Sequence, residues 1–148
     1  MKLTIRQASE STIREIVVWR YGPPFEFYDG DGEPPLNPER FFEARDEAGD
    51  LVGFYYFEKR GDAMFFGLGL RPDLTGRRLG GEFVCSGLEY GREHLRPRRV
   101  ILDVAAFNER AIRVYARAGF RETGRKMRTF PRWGDVEFVD MELREDVP

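Results

Sequence analysis

The most constraining feature of this sequence is a change of hydrophobic period between residues 63 and 95. Ala63 to Leu70 is a short apolar run behind a Gly61-Asp62 turn, which reads as a strand. From Gly76 to Leu95 the spacing becomes helical, with Leu79, Phe83, Leu88 and Leu95 on one side and Pro97 as a stop. The link is Arg71-Pro72-Asp73-Leu74-Thr75-Gly76-Arg77-Arg78-Leu79-Gly80-Gly81. A strand, a glycine-bearing turn and a helix start, in that order, leave backbone N–H groups unpaired at the positive end of a helix dipole. That geometry suits a phosphate or pyrophosphate, and Arg77 and Arg78 could add charge to it. The same glycines also serve turns and close helix–strand contacts without a ligand, so the motif by itself leaves both readings open. Two familiar phosphate loops do not fit: no Gly-Lys pair follows Gly76 at P-loop spacing, and no Gly-x-Gly-x-x-Gly follows the first strand.

Around this segment the pattern predicts one α/β (α+β) domain over residues 1–148. Met1 to Ala8 alternates as a strand, and Ser9 to Trp19 reads as a helix capped by Ser9 or Thr12 with Ile13, Ile16 and Val17 as its stripe. Tyr21 to Tyr28 mixes breakers with four aromatics, and Asp29 to Pro38 is a polar, Gly- and Pro-rich loop. Residues 40–47, 51–58 and 63–70 form a three-strand meander. Val100 to Val104 is the next strand. Asn108 then caps a short helix with Ala111, Val114, Tyr115 and Ala118 inward and Gly119 at its end. A last hairpin, 120–130 and 136–143, turns near Trp133-Gly134-Asp135.

Composition narrows the chemistry. One cysteine, Cys85, and one histidine, His94, exclude a disulfide framework, a multi-cysteine zinc site and a histidine cage, so no metal is expected. Cys85 reads as a small buried filler and His94 as a surface or capping residue near a helix end. No apolar run reaches the roughly 18 residues of a membrane span, and the N-terminus alternates, so a cytoplasmic protein without membrane contact is expected. The net charge of −2 hides a split of −5 over residues 1–70, +8 over 71–132 and −5 over 133–148. A basic middle segment suits an anionic small ligand or a nucleic-acid face.

Leu68-Gly69-Leu70-Arg71-Pro72-Asp73-Leu74-Thr75-Gly76-Arg77-Arg78-Leu79-Gly80 is followed about thirty residues later by Asn108-Glu109-Arg110-Ala111-Ile112-Arg113-Val114-Tyr115-Ala116-Arg117-Ala118-Gly119-Phe120. Together these resemble the GCN5-related N-acetyltransferase (GNAT) superfamily, and the second motif, Asn-x-x-Ala-x-x-x-Tyr-x-x-x-Gly-Phe, is the more specific. The resemblance implies a mixed, mostly antiparallel sheet of six to seven strands with flanking helices and a splayed central strand pair. It implies acetyl-CoA as co-substrate and a primary amine as acceptor, with direct attack in a ternary complex. A homodimer could form, as in much of the family.

By that resemblance the family's Arg/Gln-x-x-Gly-x-Gly/Ala loop falls on Thr75, Gly76, Arg77, Arg78, Leu79 and Gly80, with Gly81 beside it, and its amides hold the coenzyme pyrophosphate. Thr75 and Arg78 depart from the pattern. Arg78 is compatible with binding if its φ is negative and its side chain points away. The coenzyme arm enters between the strand at Leu68, Gly69 and Leu70 and the strand at 100–104, with room made by Gly67 and Gly69. The alternative for these glycines is relief of packing around Phe65 and Phe66.

Asn108 and Tyr115, nearly two turns apart, share a helix face. By resemblance Asn108 lies beside the coenzyme arm and Tyr115 is the general acid for the departing thiolate. Without the resemblance they read as an N-cap and a core tyrosine. A general base is harder to find, since residues 63–68 carry no carboxylate. Asp103 and Glu26 are the candidates for base or amine contact, and the aromatics around Glu26 could form an amine-binding wall. Two other readings compete: a non-catalytic acyl-CoA sensor, and a nucleic-acid module using Arg125, Lys126, Arg128, Phe130, Arg132 and Trp133. The latter lacks a reading helix or stacking motif, and no nucleic-acid partner is expected.

Overall fold

In the computed structural model, which describes residues 1–144, the strands are β1 (Thr4–Gln7), β2 (Phe41–Arg45), β3 (Leu51–Arg60), β4 (Ala63–Leu70), β5 (Arg99–Ala105), β6 (Arg121–Phe130) and β7 (Gly134–Arg144). The helices are α1 (Glu10–Ile16), α2 (Gly80–Leu95) and α3 (Glu109–Arg117). The seven strands form one sheet in the order β1-β2-β3-β4-β5-β7-β6. All neighbours are antiparallel except β4 and β5, the pair joined by the α2 crossover. No helix among the described residues is long and apolar enough to cross a membrane.

Alternation along β3 decides what covers each face. Tyr55 and Phe57 turn to the α2 side, where they are buried with Phe66, Phe83, Val84, Leu88, Val100 and Leu102. Rings of Tyr55 and Phe83 stack at 4.4 Å, and the Tyr55 hydroxyl donates to the Phe83 carbonyl at 2.6 Å. Phe54 belongs to the opposite face, packed with Ile13, Ile16 and Trp19 under α1. Each such buried side chain contributes about 1.5–3 kcal/mol relative to exposure.

α1 is tied to the sheet by a charge that no sequence motif announced. Glu43 of β2 is fully buried and accepts from Arg45 Nε (2.6 Å), Arg6 Nε (3.1 Å), Thr12 Oγ1 (2.8 Å) and the Ser9 backbone N–H (3.1 Å). Burial works to raise its pKa, but the bonds from Arg45, Ser9, Thr12 and Arg6 prevail and hold it down at about 2.

Three elements and one side chain depart most from the sequence expectation. β1 is limited to Thr4–Gln7, the stretch that pairs with β2. α1 ends at Ile16 instead of Trp19, because the carbonyls of Val17 and Trp19 accept the N–H groups of Gly32 and Gly30 at 2.9 and 3.0 Å. That pairing fastens the 30–32 loop and is incompatible with further helix. α2 starts at Gly80 instead of Gly76, for reasons given by the turn below. Cys85 is exposed on the outer face of α2 and fills no core position, since the buried stripe runs through Phe83, Val84, Gly87, Leu88 and Gly91. His94 is exposed, stacked on Tyr90 at 3.9 Å.

Candidate active site

The only parallel pair in the sheet is also the one that opens. β4 and β5 are in register at Ala63–Arg99, Met64–Val100 and Phe65–Ile101, and pairing stops there. On its other edge β4 stays paired with β3 to Leu70. Arg60 and Ala63 close the β3–β4 hairpin, and the Arg71 N–H donates to the Val52 carbonyl at 2.9 Å. Odd-numbered residues of β4 therefore bond to β3, and the backbone groups of Leu68 and Leu70 turn into the gap. Tyr21 reaches this edge, its hydroxyl donating to the Leu70 carbonyl at 2.8 Å.

Gly69 differs from its neighbours. Its backbone faces β3, and a Cβ there would run into the Phe54 ring. The glycine is required by close packing, against Phe54 and not against Phe65 or Phe66. A Cβ on Gly67 would only reach ordinary contact with Tyr56, at 3.4 Å.

Below the gap, Pro72–Leu74 forms one 3-10 turn, closed by Thr75 Oγ1 donating to the Pro72 carbonyl at 2.7 Å. From Gly76 to Leu79 the sign of φ alternates, with Gly76 at +76°, Arg78 at +61° and Leu79 at −91°. Such alternation turns successive N–H groups into a common concavity that suits an anion. It also explains why helix begins only at Gly80. Leu79 caps the helix without a side-chain acceptor, and the N–H groups of Gly80, Gly81 and Glu82 have no protein partner among the described residues.

Arg78 does not meet the condition of a negative φ, and its amide takes part in the concave turn with φ at +61°. The turn imposes the left-handed region there, which costs a non-glycine residue about 1–2 kcal/mol. The side chains of Arg77 and Arg78 are both exposed. A third cation, passed over in the sequence, completes the turn. Arg110 of α3 places Nη1 3.7 Å from the position of a Cβ on Gly76 and lies over the Phe25 ring at 4.9 Å, with no carboxylate partner among the described residues. Its position two residues after Asn108 was the available signal.

Where α3 meets the open end of β5, four polar side chains converge. Tyr115 is half-buried, and its hydroxyl has no hydrogen-bond partner among the described residues, yet it is not sealed from solvent. Burial, then the proximity of Tyr28 and Asp103, push its phenol well above the ordinary range. Asn108 caps α3 by accepting from the Ala111 N–H (3.2 Å) and donates Nδ2 to the Tyr28 hydroxyl (3.1 Å). It therefore serves as an N-cap and as a tether; one N–H of its amide is left over.

Tyr28 arrives on the 3-10 turn Glu26–Tyr28, whose central Phe27 is wedged against Phe130 (4.9 Å), Phe107 (5.6 Å) and Phe138 (6.1 Å). Burial raises the Tyr28 phenol, opposed by its bonds from Asn108 and Ala105. Glu26 on the same turn is half-buried and pairs with no cation among the described residues. Asp103, in contrast, is held by Lys126 at 3.1 Å and Arg128 at 3.6 Å. Arg125 likewise pairs with Glu122 and Glu137, and Lys126 also with Asp140, so carboxylates match much of the basic face of β6.

A parallel strand pair that parts over a phosphate-type turn is the arrangement that the resemblance to the GNAT acetyltransferases implied. A family model described as an acetyltransferase (GNAT) domain matches residues 36–121, and the chain belongs to that family, whose co-substrate is acetyl-CoA. Mycothiol acetyltransferase of Propionibacterium freudenreichii subsp. shermanii is 36% identical over 92 residues, covering 57% of this chain and 28% of that protein. Mycothiol acetyltransferase of Clavibacter michiganensis is 36% identical over 98 residues, covering 64% and 31%. The chain thus spans less than a third of the length of these curated relatives. Among solved structures, a spermidine N-acetyltransferase from Vibrio cholerae in complex with CoA and spermine superposes with a TM-score of 0.72 at 20% identity, covering 96% of this chain and 95% of that one. A GNAT-family acetyltransferase from Bacillus anthracis gives 0.75 at 18% identity, covering 97% and 95%. At these identities the likeness is one of fold.

Proposed function

We propose that this chain is an N-acetyltransferase that moves the acetyl group of acetyl-CoA to a primary amine by direct attack in a ternary complex. The observation that carries the reading is Tyr115: a half-buried, protonated phenol with no hydrogen-bond partner among the described residues, beside Asp103 on the part of β5 that has left β4. The surrounding residues fit the coenzyme. Leu68 and the N–H of Leu70 offer backbone groups to an extended amide-bearing arm, the Leu70 carbonyl being held by Tyr21, with the spare N–H of Asn108 nearby. The concave turn from Thr75 to Gly81 offers amides to a pyrophosphate, and Arg77, Arg78 and Arg110 offer charge.

Bound acetyl-CoA supplies the activated thioester. Attack by a neutral amine forms the C–N bond and moves negative charge to the carbonyl oxygen. As the C–S bond breaks, Tyr115 gives its hydroxyl proton to the departing sulfur, and the surplus proton on the new amide nitrogen passes to solvent, from which Tyr115 regains its own. A phenol with an ordinary or raised pKa is protonated at neutral pH, so Tyr115 has a proton to give. The incoming ammonium must first lose a proton. Glu26, whose carboxylate is free, is assigned this contact. Asp103, fixed between Lys126 and Arg128, is assigned the role of a stationary negative charge that holds Tyr115 protonated. Thiol release from acetyl-CoA across an amine panel tests the reading, with Tyr115→Phe as the decisive variant. Turnover should fall while coenzyme A still raises the melting temperature. Unchanged turnover removes Tyr115 from the acid role.

A further inference from the structure

Tyr21 and Tyr28 both line a cavity of about 370 Å³, walled by Ile16 and Val17 at the end of α1, by Phe41 of β2 and by Phe54 of β3. We infer that this cavity receives the body of the acceptor, and that the acceptor is a primary monoamine carrying an aromatic or branched apolar group and no carboxylate. The inference rests on the acetyl-transfer reading and adds the acceptor class to it.

Three observations place the cavity against the reaction centre. Tyr21 holds the Leu70 carbonyl at the gap edge. The Phe54 ring lies directly on Gly69, between the two residues whose backbone faces the gap. Tyr28 is tethered to Asn108 and close enough to raise the Tyr115 phenol. An amine nitrogen at that junction leaves its substituent room on this side.

The walls select the substituent. The volume is at the small end of ligand sites, roughly 300–1,000 Å³. Its inner surface is mostly aliphatic and aromatic, so the hydroxyls of an amino sugar would lose water without gaining partners. No lysine or arginine lines it, and its charged lining residues are Asp31 and Glu33 on the exposed loop. Asp31 accepts the Glu33 N–H at 2.9 Å, and neither pairs with a cation among the described residues. These acids draw in an ammonium and repel a carboxylate. Deeper in, no carboxylate awaits the second ammonium of a polyamine, which would be buried unpaired.

The wall is also built firmly. A Cβ on Gly30 would overlap the Val17 carbonyl, the Gly30 carbonyl accepts from Arg20 Nη1, and Pro34 and Pro35 stiffen the next stretch.

Thiol release with the full chain tests the assignment, using 2-phenylethylamine, 3-methylbutylamine, phenylalanine, glucosamine and spermidine. The two apolar amines should exceed the other three in kcat/KM by about tenfold or more. Val17→Trp, which fills the cavity, should raise KM for 2-phenylethylamine about tenfold while coenzyme A still stabilises the protein. Glu33→Lys, at an exposed site, should raise that KM as well and flatten its salt dependence, since the charges at positions 31 and 33 then cancel. Equal or better use of spermidine, glucosamine or phenylalanine overturns the acceptor class and leaves acetyl transfer standing. No thiol release with any amine overturns both.

Discussion

The two halves of the site are made of different material. On the coenzyme side, the turn from Thr75 to Gly81 and the edge of β4 present backbone groups, and Thr75 and Arg78 stand where the family pattern has other residues. On the acceptor side, Tyr21, the 3-10 turn that bears Phe27 and Tyr28, and Phe54 of β3 present rings and hydroxyls. A surface of amides tolerates substitution as long as φ and ψ are kept. A surface of side chains changes its ligand with each residue. The difference teaches where this protein resembles its relatives and where it is free to differ from them.

The largest effect expected is at the junction of the two halves. Tyr115→Phe should lower turnover about 10²- to 10⁴-fold, the range of a positioned proton donor, with the melting shift induced by coenzyme A intact. A loss of coenzyme binding of the same size would instead place Tyr115 on the coenzyme side of the comparison.

Next comes the frame that holds the acceptor side in place. Glu43→Ala leaves Arg6 and Arg45 without their shared carboxylate beneath α1, and unfolding free energy should drop by about 3–5 kcal/mol in urea titrations. The same group makes stability depend on pH. Its folded pKa, about 2, lies below the ordinary 4.5, so its contribution is fully present above about pH 4.5 and is lost as pH falls toward 2. Between those limits about 3 kcal/mol is at stake. Glu43→Gln should flatten the acid limb of the melting curve; an unaltered limb would place the acid lability elsewhere.

A smaller effect separates side-chain from backbone binding on the coenzyme side. Arg110→Gln should weaken coenzyme A about tenfold and reduce the salt dependence of its Kd, as for one charge-assisted contact. If calorimetry gives an unchanged Kd, the coenzyme half is built from backbone alone and the comparison becomes sharper. The smallest effect belongs to Arg78→Gly. Glycine relieves the left-handed strain at φ +61° but adds freedom to the unfolded chain, so stability should rise by no more than about 1 kcal/mol. Coenzyme affinity should hold, and a marked loss of it would mean that the Arg78 side chain, as well as its amide, is used.

Much of the coenzyme half was legible in the residues because it is local. The passage from Leu70 through Gly76 to Gly80 writes strand, turn and helix in consecutive letters, and the Asn108–Phe120 motif fixes the helix that carries Tyr115. Even there, the left-handed φ of Arg78 was not legible, since nothing in an arginine announces such a turn. Cys85 was misplaced for a related reason: helical spacing tells that a stripe is buried but leaves its edges to the neighbouring strand. Asp103 and Glu26 looked alike as carboxylates. Only the fold brings Lys126 and Arg128 of β6 onto the first and leaves the second unpaired.

By itself, then, the sequence determined the order of strands and helices, the place of the phosphate-type turn and the helix face shared by Asn108 and Tyr115. Each depends on spacing within one segment, where backbone geometry follows from a few consecutive residues. Tertiary structure alone decided that Glu43 is the buried charge beneath α1, that Arg110 reaches over to Gly76, and that Tyr28 hangs from Asn108 beside an apolar cavity. The contacts of Thr12 with Glu43, Arg110 with Gly76 and Asn108 with Tyr28 join residues 31 to 80 positions apart. Their cause is the packing of the 21–36 loop, α1 and α3 onto the open half of one sheet, and no local pattern encodes it.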